Sequence, residues 1–158
     1  MIFFFYIYWQ EICFIFVKSN LSKKKLIIKR SQLPGAGKGL FTTVPLKRGD
    51  RIVEYKGKIS NWNEASHMNG KNRYLFYVNK DHVIDANNNK RLLARYANDA
   101  KGPRKLKGVL NNSTYEVEDN KVFIKAMKNI PADEEILVGY GKEYWDVIHL
   151  STKSVKKK

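Results

Sequence analysis

The chain has 158 residues and a mass of 18.4 kDa, with 43% hydrophobic and 13% aromatic residues, which suits one domain with its own core rather than two. A single cysteine, Cys13, excludes an internal disulfide framework and a cysteine-based zinc site, and it favours a reducing compartment. The three histidines have no metal-ligand spacing, so no metal is predicted. The formal net charge of +15 would attract nucleic acid or another polyanion, although an excess of Lys and Asn is also typical of compositional drift in an AT-rich genome.

Residues 1–24 form an apolar and then basic extension that lies outside the predicted domain. Its apolar run, MIFFFYIYWQEICFIFV, is shorter than the roughly 20 residues that cross a bilayer, and Gln10 and Glu11 interrupt it. The run also lacks the basic start and the small-residue cleavage site of a secretory signal. It is a dispensable extension, an additional strand or packed arm, or a membrane anchor with a basic flank. We expect no anchor, and a location in the cytoplasm.

From residue 25 onward, short apolar runs separated by turn signals predict β-strands. The predicted strand segments are KLIIKRS, LFTTV, RIVEYKGKIS, YLFYV, HVIDA and EILVGY, together with the hairpin YEVEDNKVFIKAM, which turns at Asp119 and Asn120. Only WNEASHMNG and NKRLLARYAN predict short helical turns. The fold class is therefore mainly β with few short helices, and residues 148–158 form a basic C-terminal tail.

The segment GAGKGLF contains three alternating glycines, at positions 35, 37 and 39. Glycine lets a backbone approach a ligand without interference from a Cβ atom. The loop is too short for a nucleotide-binding P-loop, and Lys38 is not followed by Ser or Thr. Taken alone, the segment indicates either a plain turn or a cradle of backbone groups around a ligand.

Two further segments concentrate polar side chains next to apolar runs. RLLARYANDAKG places Arg95, Tyr96, Asn98 and Asp99 within five positions. Such side chains are costly to bury without partners, so this segment is either a solvated turn or a ligand site. In EEILVGYG, Tyr140 lies between two glycines at the end of an apolar run, where a phenol can project into a cavity.

These three segments, in this order, resemble the SET domain of protein-lysine methyltransferases, and the resemblance covers residues 25–147. It implies a β-clip fold of short strands in small sheets, with a C-terminal threaded pseudoknot that brings LLARYAND beside LVGY. It also implies an S-adenosylmethionine-dependent enzyme that methylates the ε-amine of lysine in a histone-like or other basic protein. If the target is chromatin, the resemblance implies a location in the nucleus or nucleoid instead of the cytoplasm. The alternative is a catalytically silent SET-like module that binds protein, or nucleic acid through its basic surface.

The resemblance also assigns the site residues. Tyr140 matches the family's catalytic tyrosine, and Tyr74 matches the tyrosine that lines the channel for the substrate lysine. Asp99 stands where the family usually has His, and it would contact the adenine through its backbone while adding a negative charge nearby. Tyr144 or Trp145 would stack on the adenine or close the lysine channel. The residues expected to bind the cofactor are Lys38, Gly39, Leu40, Asn98, Asp99, Tyr140 and Trp145.

Acidic residues fall into two clusters, one in the predicted hairpin and one before the last predicted strand. A basic substrate would be attracted to a highly cationic protein only through a local acidic patch. The clusters therefore form either such a patch or ordinary solvated turns. Their members are Glu116, Glu118, Asp119, Asp133, Glu134 and Glu135.

Overall fold

The computed structural model describes residues 25–65, 67–68, 72–102, 106–142 and 144–145. The predicted N-terminal extension and basic C-terminal tail lie outside these residues. The strands are β1 (Leu26–Arg30), β2 (Lys38–Thr42), β3 (Arg51–Glu54), β4 (Lys58–Ser60), β5 (Leu75–Asn79), β6 (His82–Asp85), β7 (Ser113–Glu118) and β8 (Lys121–Ala126). A short 3₁₀ helix spans Ala94–Tyr96. The predicted class, mainly β with few short helices, is confirmed. Within these ranges, no helix has the length and apolar character needed to cross a membrane.

The strands form three small antiparallel sheets, with the orders β1-β2, β3-β8-β7 and β4-β6-β5. The predicted hairpin is confirmed as β7 and β8, whose last pair is Glu118 with Lys121. Its turn residues Asp119 and Asn120 have φ angles of 48° and 61°. Asp and Asn tolerate this left-handed conformation better than most residues, which explains why the DN pair marks the turn.

The three sheets share one core, which strand β8 crosses. Its side chains alternate in burial, and Val122, Ile124 and Ala126 are at most 3% exposed. This period of two is the geometry of a strand with one face inward, and β-branched residues suit it. Leu40 of β2 and Ile84 of β6 pack into the same core. Each fully buried aliphatic side chain stabilises the fold by about 1.5 to 3 kcal/mol.

The predicted strand EILVGY does not join a sheet as a regular strand. It passes between the loop at Asn98 and the first residue of β7, with one parallel bridge on each side, Leu137 with Asn98 and Val138 with Ser113. Glu135 also makes an isolated antiparallel bridge to Phe41 of β2. The Val138 N–H donates to the Asn98 carbonyl at 2.8 Å. The apolar run predicts an extended, buried segment, and the structure agrees, but the segment pairs with β2, β7 and one loop through isolated bridges rather than through a regular ladder. This crossing brings the polar segment around Asn98 against the segment that leads to Tyr140.

Candidate active site

A cavity of about 820 Å³ opens where four parts of the chain meet. These are the glycine loop, the start of β5, the 3₁₀ helix with the residues after it, and the aromatic segment that begins at Tyr140. Six of the predicted site residues line the cavity: Lys38, Tyr74, Asn98, Asp99, Tyr140 and Trp145. The fold therefore gathers residues from distant parts of the sequence around one space.

The glycine loop forms one end of this cavity. Gly35 and Gly37 have φ angles of 72° and 77°, a region that side-chain-bearing residues rarely adopt. The Ser31 N–H donates to the Gly37 carbonyl at 2.8 Å and closes the loop at its base. Lys38 follows as the last loop residue on the cavity wall. The loop thus presents backbone to the cavity with little side-chain cover.

Gly39 and Leu40, also predicted to contact the cofactor, lie within β2 and do not line the cavity. The Leu40 side chain has no exposed surface, and its carbonyl accepts the Ile136 N–H at 2.7 Å. A Cβ atom at position 39 would collide with the carboxylate of Glu135. Position 39 therefore requires glycine because the Glu135 carboxylate packs directly against its backbone behind the cavity wall.

Asn98, which is partly exposed, and Glu135, which is buried, form a polar pair beneath the cavity. The Asn98 side-chain nitrogen Nδ2 donates to the Lys38 carbonyl and to Glu135 Oε1, both at 3.0 Å. Glu135 is 2% exposed, and its carboxylate also accepts from Ser31 Oγ at 2.7 Å and from the Gln32 N–H at 2.8 Å. Sequence reasoning missed this role, since Glu134 and Glu135 are identical neighbours and only contacts about a hundred residues away distinguish them.

The acidic patch predicted for a basic substrate is not formed as expected. Arg51 lies between Glu116 and Glu118, at 2.6 Å from each carboxylate, within the β3-β8-β7 sheet. Glu135 is buried beneath the cavity. These three carboxylates therefore do not form a free acidic patch, although Glu118 stays 55% exposed beside the hairpin turn.

Asp99 joins the loop to the end of the domain through four hydrogen bonds. Its Oδ1 accepts from the Lys101 N–H and from Asn111 Nδ2, both at 2.8 Å. Its Oδ2 accepts from the Tyr140 N–H at 2.9 Å and from Trp145 Nε1 at 2.8 Å. Burial alone would raise the pKa of this carboxyl group, but the four N–H donors outweigh burial and hold the pKa below its ordinary value. The negative charge of Asp99, expected near the cofactor, is thus already stabilised by hydrogen bonds within the protein. The contribution of Asn111 was not predicted, because no local sequence signal indicates it.

Tyr140 has both its backbone and its phenol fixed. The hydroxyl donates to the Ala97 carbonyl at 2.8 Å, while the backbone N–H is held by Asp99. Burial, and then the neighbouring tyrosines, raise the pKa of this phenol well above its ordinary value, so it stays protonated at neutral pH. With its hydrogen engaged, the oxygen keeps lone pairs that can accept a hydrogen bond. Tyr140 is therefore suited to orienting a ligand group rather than to acting as a base.

The other end of the cavity is aromatic. Tyr55, Phe76 and Tyr115 form a cluster with ring centroids 4.7 to 6.0 Å apart. Burial raises the pKa of both tyrosines in this cluster. The Tyr55 hydroxyl donates to the Tyr74 carbonyl at 3.0 Å, and the Arg95 guanidinium lies 3.9 Å from the centroid of the Tyr74 ring. This region is thus apolar inside and held in place by its polar groups at the edge.

Tyr144 and Trp145 cover the rim beside Tyr140. The rings of Tyr140 and Trp145 stack with centroids 5.8 Å apart and planes inclined by 17°, and Tyr144 packs edge-on against both. The Trp145 ring also rests on Gly102, where a Cβ atom would lie 3.3 Å from it. Both aromatic residues therefore line the cavity at its rim.

Comparisons with known proteins agree with this geometry. The family model described as SET domain matches residues 37–141. Histone-lysine N-methyltransferase 2D of Homo sapiens is 31% identical over 134 residues, which cover 80% of this chain and 2% of that protein. N-lysine methyltransferase KMT5A of Xenopus tropicalis is 28% identical over 125 residues, which cover 72% of this chain and 36% of that protein. The chain thus spans only a minor part of the length of these curated relatives.

A solved structure shares the fold. The methyltransferase domain of human PR domain-containing protein 2 superposes with a TM-score of 0.56 at 22% sequence identity, over 75% of this chain and 78% of that one. The match of the family model begins within the glycine loop, at residue 37, and contains Asn98 and Tyr140, which line one cavity with that loop here. On these grounds the chain belongs to the SET-domain family.

Proposed function

We propose that this protein is an S-adenosylmethionine-dependent methyltransferase that acts on the ε-amine of lysine in a protein substrate. The observation that carries the proposal is that one cavity has a polar end at Asn98 and an aromatic end at Tyr55, Phe76 and Tyr115, with Tyr140 in the same lining. A zwitterionic, nucleoside-bearing cofactor suits the polar end, and an aliphatic lysine side chain suits the aromatic end. The names of the relatives, both lysine methyltransferases, support the same reaction.

The residues present fit the cofactor. The cavity of about 820 Å³ is within the range that encloses ligands of this size. Its polar end offers the backbone of the glycine loop and the Asn98 side-chain carbonyl. Four side chains or backbone groups would hold the cofactor directly, those of Lys38, Asn98, Tyr140 and Trp145. Asp99 would contact it through its backbone. Gly39 and Leu40 would contribute by supporting Lys38 from β2. When bound, S-adenosylmethionine supplies a methyl group activated by its sulfonium.

The chain's own contribution is to exclude water and orient the amine. Tyr55, Phe76 and Tyr115 give the lysine channel apolar walls. A lysine side chain ordinarily has a pKa of about 10.4, and both an apolar environment and nearby cations lower that value. Arg73 and Arg95 line the same cavity and supply such cations. The substrate amine is therefore favoured in its neutral, nucleophilic form.

Tyr140 and Tyr74 are the proposed catalytic residues. The Tyr140 hydroxyl gives its hydrogen to the Ala97 carbonyl, so its oxygen accepts an N–H of the substrate amine and directs the nitrogen lone pair along the channel. Tyr74, fixed by Tyr55 and Arg95, lines the channel and limits the positions that the amine can take. Alignment and desolvation are the main requirements for transfer to a good methyl donor.

Two measurements test the proposal. Calorimetry with S-adenosylmethionine should show binding in the micromolar range, and transfer of labelled methyl groups to histones or lysine-rich peptides should be inhibited by S-adenosylhomocysteine. Failure to bind either S-adenosyl compound would contradict the proposal. The net charge of +15 supports a second candidate, a silent module that binds nucleic acid. That module would bind duplex DNA with a steep loss of affinity as salt rises, and it would show no methyl transfer.

A further inference from the structure

Glu135 is a buried carboxylate that does not touch the cavity, yet it connects to a residue that does. It accepts three hydrogen bonds, two of them from Ser31 and Gln32 at the end of β1. Burying an acid is costly unless its oxygens are well supplied with donors. Ser31 and Gln32 hold the carboxylate from behind, and its remaining partner is Asn98, whose side chain reaches the cavity.

The hydrogen bonds beneath the cavity fix which end of the Asn98 amide faces a ligand. An asparagine side chain has a donating NH₂ group and an accepting carbonyl, and the two are nearly equal in shape. The Lys38 carbonyl and the Glu135 carboxylate can only accept. Both therefore require the NH₂ group of Asn98, and both lie 3.0 Å from its nitrogen. The carbonyl oxygen is then the end that is left for the cavity.

We propose that Glu135 is a positioning residue that fixes the polarity of Asn98 and thereby makes the site select a ligand with a cationic amino group. The inference rests on the proposed function, in which this ligand group is the α-ammonium of the cofactor. An outward carbonyl accepts hydrogen bonds from an ammonium group, whereas an outward NH₂ group would repel it. The buried negative charge behind Asn98 favours the same ligand.

Replacing Glu135 with glutamine removes this support for Asn98 while keeping the shape of the side chain. Glutamine has only one accepting oxygen. If that oxygen keeps the bond from the Gln32 N–H, the new NH₂ group faces Ser31 and Asn98. The Ser31 hydroxyl can accept from it, but the Asn98 NH₂ cannot. Asn98 must then either face a donor at position 135 or turn its carbonyl against the Lys38 carbonyl, so its outward carbonyl is no longer fixed.

The matched control is Glu134→Gln. Glu134 is the adjacent residue and is partly buried, and its carboxylate oxygen accepts from Asn112 Nδ2 at 3.2 Å. Glutamine keeps an accepting oxygen for that bond. Glu134 lies outside the cavity lining, so this change removes the same charge without altering Asn98.

The experiment measures selectivity by calorimetry with two ligands, S-adenosylhomocysteine and its deaminated analogue, in which hydrogen replaces the α-ammonium group. Wild type and Glu134→Gln should prefer the ammonium-bearing ligand. Glu135→Gln should lose about 10- to 100-fold of its affinity for S-adenosylhomocysteine, the range for a hydrogen bond to a charged group, and bind the analogue within about 3-fold of wild type. Equal weakening of both ligands would indicate a merely structural role and overturn the proposal. A wild type that does not prefer the ammonium would overturn it as well.

A second measurement tests the orientation of Asn98 without a ligand and without the Glu135→Gln variant. It decides the inference if that variant fails to fold. It also does so if wild type binds neither ligand, a result that would refute the proposed function. Side-chain amide protons of Asn98 can be followed by nuclear magnetic resonance in the wild-type chain. Both should be protected from exchange with solvent, because both donate inward. Rapid exchange of these protons would overturn the proposed orientation.

Discussion

Replacing Asp99 with asparagine should destabilise the domain although the two side chains have the same shape. The Asp99 carboxylate accepts two N–H donors on each oxygen. Asparagine has one oxygen and one NH₂ group, so two of the four donors face another donor whichever way the amide turns. Asn111 cannot turn to compensate, since its own oxygen accepts the Ala100 N–H at 2.8 Å.

The magnitude follows from the two lost bonds. A buried donor left without a partner costs about 1 to 3 kcal/mol, so the free energy of unfolding should fall by about 2 to 6 kcal/mol. For a chain of this size, each kcal/mol lowers the Tm by about 3 °C, which gives a fall of about 6 to 18 °C. The assay is thermal unfolding followed by circular dichroism, with Asp81→Asn as the control. Asp81 has a side chain 76% exposed and lies 3.9 Å from Lys80, so its loss should change the free energy by less than about 0.5 kcal/mol.

The pH dependence provides an independent check. Because the folded-state pKa of Asp99 lies below its ordinary value, the carboxylate stabilises the fold above the unfolded pKa of about 3.9. That stabilisation is lost as pH falls through the folded pKa, since a protonated carboxyl also loses accepting capacity. The difference between wild type and Asp99→Asn should thus be constant from about pH 5 to 8 and shrink in more acidic solution. If Asp99→Asn unfolds within about 1 °C of the control at neutral pH, the four-donor explanation is refuted.

Three further substitutions test the cavity. Tyr140→Phe should leave cofactor affinity nearly unchanged and slow methyl transfer by about 100-fold, because only the positioned hydroxyl bonded to Ala97 is lost; an unchanged rate in single-turnover assays would make Tyr140 structural. Asn98→Ala should weaken S-adenosylmethionine binding by about 1 to 3 kcal/mol in calorimetry, since Glu135 loses a donor and the ligand an acceptor; unchanged affinity would contradict its role. Gly39→Ala should lower stability by about 1 to 3 kcal/mol in denaturant unfolding, because the added methyl collides with the Glu135 carboxylate; wild-type stability would contradict that packing.

Local patterns predicted the parts of the fold whose partners are near in sequence. The β7 and β8 hairpin follows from alternating residues on either side of Asp119 and Asn120, and its register is set by that turn. The segment EILVGY was predicted as a strand because its apolar run is locally typical of one. Its bridge partners, Phe41, Asn98 and Ser113, are distant in sequence and make one bridge each, so no local pattern shows that it pairs too briefly to form a regular strand.

The site was predicted in part, and for the same reason. Asn98 and Tyr140 were identified by their motifs, and both line the cavity. The roles of the carboxylates were not predicted, because they depend on which donors the fold brings to them. Glu135 was grouped with exposed acids, and Asp99 was expected to add charge near a ligand. Only contacts with the end of β1 and with Trp145 show that both acids hold the site together.

The passage of residues 135–138 between the Asn98 loop and β7 has a consequence for the order of folding. The loop around Asn98 lacks its bridge partner until these residues arrive, and the contacts of Asp99 with Trp145 come later still along the chain. Contacts between such distant residues form slowly because closing a long loop is entropically costly. During synthesis, the hairpin can form on the emerging chain, whereas the cavity cannot. Ligand-binding competence should therefore be the last property that a nascent chain acquires, after most of its backbone pairing is complete.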